Sequence, residues 1–315
     1  MLLPLLGIVV GLVVLTLAAD HFVLGAARTS SRLNLSPVVI GAVVIGFGTS
    51  APEMVVSGIA ASGGQLDIAV GNVIGSNVAN LSLVLGAAAL AATITVSSKT
   101  LRREAPLSLF SVLLFAVLVR DGLTRTEGYI LLGTLVLSLG WILASARREG
   151  NEELSEEVAE YLEEGGEVAL GRELGRALLG LLGTVAAAQV LVTSATKIAS
   201  EMGLAEGFVG LTIIAIGTSL PELATSMQAA RKGETDLIVG NLLGSNLFNS
   251  LAVGGLAAVL GPGQLIDGKL EGLALGLMIT IAVLATVFMA SGRRVTRNEG
   301  VALLAVYVVM VPLLA

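Results

Sequence analysis

GFGTSAPE at 46–53 and GNVIGSNVAN at 71–80 return as AIGTSLPE at 215–222 and GNLLGSNLFN at 240–249, at a constant offset of 169 and without a gap. The full blocks are 46–86 and 215–255, and about half of their aligned positions are identical. The residues that recur are mostly polar: Thr49, Ser50, Glu53, Asn72, Ser76, Asn77 and Asn80, against Thr218, Ser219, Glu222, Asn241, Ser245, Asn246 and Asn249. Apolar positions between them drift among Val, Ile, Leu and Ala, as packing alone would allow. What is duplicated is therefore a set of oxygen- and amide-bearing side chains inside apolar runs, where polar groups are costly and mark function.

The surrounding chain belongs in a bilayer. Hydrophobic residues make up 55% of the 315, charged residues 13%, and the mean hydropathy is +0.91, far outside the soluble range. Apolar stretches of about 20 residues give ten candidate spans, at about 3–25, 37–61, 68–93, 105–121, 126–146, 174–198, 206–230, 236–260, 269–291 and 299–315. The first is too long for a secretory signal and lacks its basic start and cleavage site, so it reads as a retained helix. With no cysteine and one histidine, His21, thiolate and imidazole metal chemistry is excluded. Oxygen ligands remain, which suit hard cations.

The expected fold is an all-α membrane protein of ten transmembrane helices, in two inverted five-helix repeats with broken helices at the ion site. Residues 1–146 form the first repeat, 147–173 an acidic connector, and 174–315 the second repeat. Because five spans is an odd number, Glu53 and Glu222 enter the membrane from opposite sides, the arrangement used by secondary transporters. Arg28, Arg32, Lys99, Arg102, Arg103, Arg147, Arg148, Arg231 and Lys232 cluster on one side, which places the connector in the cytoplasm of a multi-pass cell-membrane protein and both termini outside. Within the connector, Leu154, Val158, Tyr161 and Leu162 give an amphipathic helix over 151–164 capped by Asn151, without the Asp/Gly pattern of an EF-hand.

Pro52 and Pro221 have no N–H to give the carbonyl four residues back, so each breaks its helix just before the glutamate. Thr49, Glu53 and Ser57 then share one face, as do Thr218, Glu222 and Ser226. Asn72, Ser76 and Asn80 in span 3, and Asn241, Ser245 and Asn249 in span 8, form the facing polar stripes. The Gly71/Gly75 and Gly240/Gly244 pairs allow close helix approach. A lone glutamate at the bilayer centre costs several kcal/mol, about 3 by insertion scales. No lysine or arginine lies at that depth in these four spans, so cations or protons must neutralise the pair. Calcium fits, with about 6 to 8 oxygens at flexible distances including carboxylates. Plainer roles compete at some positions: helix bridging for Ser57, Ser226, Asn77 and Asn246, capping for Asp67 and Asp236, and an interfacial place for Asp20 and His21 at the end of the first apolar run.

At the four quoted motifs the chain resembles the alpha-repeats of the cation/calcium exchanger superfamily, and is most similar to the prokaryotic sodium/calcium exchangers. The resemblance implies an antiporter, not an enzyme, that exchanges calcium for sodium by alternating access. It implies calcium on Glu53, Glu222 and the carbonyls of Thr49 and Thr218. Sodium would use Glu53, Glu222, Ser50, Ser219, Ser76, Ser245, Thr49, Thr218 and carbonyls near Gly46 and Ala215. The ion ligands expected in all add Asn80, Asn249, Asn72 and Asn241. Some relatives have aspartate at one of the positions of Asn80 and Asn249; asparagine at both argues against potassium dependence and leaves a proton/calcium antiporter as the alternative. The partners implied are Ca2+ and Na+, with H+ as the alternative coupling ion, and the lipid bilayer; no nucleic acid, no obligate protein partner and no further cofactor are implied. Spans 1 and 6, poor in polar groups, are expected to slide across the ion-binding core.

Overall fold

A computed structural model describes residues 2–33, 50–149, 169–233 and 235–314. Gly46, Thr49 and the 151–164 stretch lie outside these residues, as does the side chain of Asp236. The described chain is almost wholly helical. Seven helices are long and apolar enough to cross a membrane, or eight if one bent pair is counted as a single span. In chain order the helices are α1 (Leu2–Arg32), α2 (Ala51–Ser62), α3 (Leu66–Ala91), α4 (Ser98–Leu118), α5 (Arg125–Glu149), α6 (Leu170–Met202), α7 (Glu206–Thr218), α8 (Leu220–Lys232), then α9, beginning at Thr235 and ending at Leu260, α10 (Leu270–Ala290) and α11 (Arg297–Leu314).

Local chemistry explains several ends. The Ser97 hydroxyl accepts from the Thr100 amide at 3.1 Å and caps α4, so this helix starts seven residues before the apolar run expected from 105. Gly203, at φ +65, turns the chain out of α6, a conformation that favours glycine. α1 runs past residue 25 to Arg32, so Asp20 and His21 lie inside a helix rather than at its end.

Glycines set the closest packing. α1 and α6 lie against each other along most of their length: a Cβ on Gly11 would sit 3.3 Å from the Leu191 Cα, and one on Gly25 would sit 2.6 Å from the Ala177 nitrogen. At their far end Arg28 and Arg176 approach the buried Glu173 at 3.6 and 3.4 Å. α3 meets α7 equally closely, through Gly71 and Gly75 against the backbone around Gly207 and Leu211. Gly240 and Gly244 show no such neighbour among the described residues.

Two short backbone pairings tie the halves together. β1 (Ile94–Thr95) pairs antiparallel with β2 (Arg294–Val295), and Leu123 bridges Gly263. α4 runs from the first pairing to the second, so they lie roughly 30 Å apart, at opposite ends of the bundle.

Candidate ion-binding site

The break expected at Pro221 is present. α7 and α8 meet at Ser219, φ −88 and ψ 5, with a bend of 42°. Ser50 has nearly the same backbone, φ −92 and ψ 8, immediately before α2. Each glutamate thus occupies the first turn of a new helix, where backbone amides are unpaired and the helix dipole favours negative charge. Both carboxylates interact with their own amides.

Glu53 and Glu222 are buried, at 1% and 2% exposure, and close enough for Glu222 to repel charge on Glu53. Among the described residues no ion pair involves either. The Thr218 hydroxyl lies beside Glu53 but donates to Asn72 Oδ1 at 3.4 Å, and neither Glu53 oxygen has a partner of full hydrogen-bond geometry. Ser245 lies beside Glu222, whose Oε2 is unpartnered. Ser50, Ser219, Ser226 and Ser245 hydroxyls and the Asn77, Asn80 and Asn249 amide oxygens are likewise buried and unpartnered. Buried polar atoms are normally satisfied, so this concentration of vacant oxygens around two carboxylates is what a dehydrated cation would fill.

α3 and α9 hold the frame. Asn72 donates to Ser57 Oγ at 2.9 Å and accepts from Ser76 at 3.5 Å. Where the two helices cross, Asn80 donates to Asn246 Oδ1 at 3.0 Å, Asn246 donates to the Asn77 carbonyl at 3.2 Å, and Asn77 donates to Ser250 at 3.2 Å. Amide nitrogens are spent on the scaffold, which turns the Asn80 oxygen free. A π-turn starts at Asn80 and another at Asn249, widening the helix at each; such turns often mark functional sites, and residue spacing gives no warning of them.

The expected ligands separate accordingly. Ser50, Glu53, Asn72, Ser76, Asn80, Ala215, Thr218, Ser219, Glu222, Ser245 and Asn249 are all buried. Asn241 is only half-buried, and Gly46 and Thr49 lie outside the described residues. The Ala215 carbonyl already accepts from the Ser219 amide at 3.1 Å and the Thr218 hydroxyl at 3.4 Å, so it shapes the break. Bridging is the observed role of Ser57, Asn77 and Asn246, but not of Ser226, whose hydroxyl is vacant. Asp67 does not cap its own helix; it accepts from the Ile266 and Asp267 amides at 3.0 and 3.1 Å and fixes the loop before α10. A cavity of about 1160 Å³ lies along α2, α6 and α9, walled by Met54, Gly58, Gln65, Thr196 and Leu256, with Glu53 not among its walls.

Comparison with known proteins agrees with this geometry. A family model described as sodium/calcium exchanger protein matches residues 3–144 and again residues 173–314. The chain is 42% identical to the putative antiporter CaxA of Alkalimonas amylolytica, over 98% of this chain and 97% of that one. It is 28% identical to the sodium/calcium exchanger MaX1 of Methanosarcina acetivorans, over 96% and 95%. Among solved structures it is similar to the sodium-calcium exchanger NCX_Mj soaked with Na+ and Sr2+, with a TM-score of 0.67, 28% identity, and coverage of 99% of this chain and 98% of that one.

Proposed function

Since this chain belongs to the sodium/calcium exchanger family, a family of ion exchangers and not of enzymes, we propose that it moves calcium against sodium across the membrane, with Glu53 and Glu222 sharing one calcium ion between them. The observation that carries this reading is the pair of buried carboxylates with vacant oxygens and no basic partner among the described residues. One divalent ion cancels both charges and takes oxygens at flexible distances. Thr218 and Thr49 complete the calcium shell through their carbonyls, and Ser50, Ser219, Ser76 and Ser245 add hydroxyls for sodium. Asn80, Asn249, Asn72 and Asn241 line the flanks, with carbonyls near Gly46 and Ala215 at its ends. Calcium and sodium compete for the same two glutamates, so loading one expels the other, which is exchange.

The architecture we assign is ten spans in two inverted repeats, 1–146 and 174–315, joined by the connector 147–173. In its support, β1–β2 joins the α3–α4 loop to the α10–α11 loop at one end of the bundle and Leu123–Gly263 joins the α4–α5 loop to the α9–α10 loop at the other, two pairings that a two-fold axis in the membrane plane would exchange. The basic residues then set both termini outside and the connector in the cytoplasm. The tight α1–α6 pair acts as the sliding unit that exposes the site to alternate sides.

Proteoliposomes loaded with sodium test the coupling. Calcium uptake is expected only under an outward sodium gradient, and to vanish in Glu53→Gln and Glu222→Gln. A proton/calcium antiporter is favoured by the uncharged Asn80 and Asn249; uptake driven equally well by a pH gradient in sodium-free buffer would select it instead.

A further inference from the structure

We propose that Asp20 of α1 is a third carboxylate of the transport route, a relay that receives the cation on its way between water and Glu222. This rests on the exchange reading above. Asp20 lies inside α1, at the close of its apolar run and about three turns before its end at Arg32, and is exposed. A carboxylate within a spanning helix is costly against lipid, so such acids face a bundle interior or a water-filled space.

Its bearing is fixed by two observations. Leu12, Thr16 and Asp20 share one face of α1 at four-residue spacing, and the Leu12 side chain is packed directly against Gly217. Two turns further on, the same face carries Asp20 to the level of the first turn of α8, within electrostatic reach of Glu222. The adjacent His21 is exposed on the next face. The stripe therefore lies across the break that carries Thr218, Ser219 and Glu222.

α8 offers the matching opening. Leu220, Ala224, Thr225 and Gln228 are exposed there, whereas the same positions of α2, Ala51, Val55, Val56 and Ile59, are buried or half-buried. The Ser226 hydroxyl is vacant while its counterpart Ser57 is bonded to Asn72. The site is thus less covered on the α8 side, and Asp20 stands at that side. Carboxylates along a narrow approach raise local cation concentration and entry rate, by about tenfold or more. Since Asp20 rides on α1, sliding of that helix would carry the relay toward or away from Glu222 in step with access.

The test is calcium flux through the purified full-length chain in oriented proteoliposomes, with calcium varied on each face separately. For Asp20→Asn, KM for calcium on the Arg32 side is expected to rise about tenfold, with the maximal rate and the opposite-side KM unchanged. Asp20→Glu should restore the wild-type KM. KM unchanged on both sides would overturn the relay, as would equal loss of maximal rate on both sides in Asp20→Asn and Asp20→Glu alike, which marks a packing role. Wild-type vesicles without gradient-driven uptake would instead refute the exchange reading itself.

Discussion

Asn246 and Glu222 are both buried in the same interior, yet their substitutions should act in opposite ways. Asn246 is fully buried and fully engaged: it accepts from Asn80 and donates to the Asn77 carbonyl. Asn246→Leu strands both partners, each costing about 1–3 kcal/mol when left unpaired, so a loss of about 3 kcal/mol is expected in detergent, read from denaturant unfolding. Glu222 has a vacant oxygen and no counter-charge among the described residues. Glu222→Gln should therefore leave the ion-free protein at least as stable as wild type while removing its response to calcium. Wild type should gain about 2.7 kcal/mol at calcium a hundredfold above Kd, and the variant none; thermal melts with and without calcium measure both. The glutamates, hydroxyls and amides of the repeat were legible in sequence because polar residues inside apolar runs need a reason. Glu173 was not: as one acid in an acidic stretch it looked solvated, and its burial against Arg28 depends on a partner far away in the chain.

Among the elements, α1 and α6 show how small residues substitute for a hydrophobic driving force that lipid does not supply. A Cβ on Gly25 would sit 2.6 Å from the Ala177 nitrogen and 2.8 Å from the Glu173 carbonyl oxygen, both backbone atoms that cannot yield without parting the helices. Gly25→Ala is expected to cost about 1–3 kcal/mol and to slow transport. Gly276→Ala on the exposed face of α10, with nothing within 4 Å of its Cβ, should change neither unfolding midpoint nor flux. The clasp at the end of the pair has a larger cost: Glu173→Gln leaves Arg28 buried without its counter-charge, a loss of about 3–5 kcal/mol that unfolding of the same samples would show. Proline chemistry announced the break at Ser219 from the sequence. The π-turns at Asn80 and Asn249 gave no such signal, since apolar periodicity averages over one extra residue in a turn. The early start of α4 was hidden differently: its first turns carry Lys99, Arg102 and Arg103, which a hydropathy reading assigns to a loop.

At the scale of the whole molecule, two kinds of connection must be distinguished if one part is to slide over another. β1–β2 and Leu123–Gly263 join the halves through backbone hydrogen bonds at the two ends, and α3 and α9 cross through the Asn80–Asn246 bond, so these belong to one scaffold. Among the described residues α6 makes one side-chain hydrogen bond to that scaffold, Gln65 Nε2 to Thr196 Oγ1 at 2.7 Å at the loop before α3, and otherwise meets it by apolar packing on α2 and α7 beside a cavity lined by α2, α6 and α9. A bond between neutral side chains is worth about 1 kcal/mol net, small enough to be exchanged on every transport cycle. The chain has no cysteine, so pairs can be introduced on a clean background. Thr95→Cys with Arg294→Cys, joined by a short bis-maleimide, should leave calcium flux intact because both residues sit on the scaffold. Gln65→Cys with Thr196→Cys, joined in the same way, should stop flux while leaving calcium-dependent stabilisation in place, since the site itself is untouched. Flux that persists in the second cross-linked pair would show that α6 stays fixed to the loop before α3 during transport, and the moving part would have to be sought among α2, α3, α8 and α9 instead.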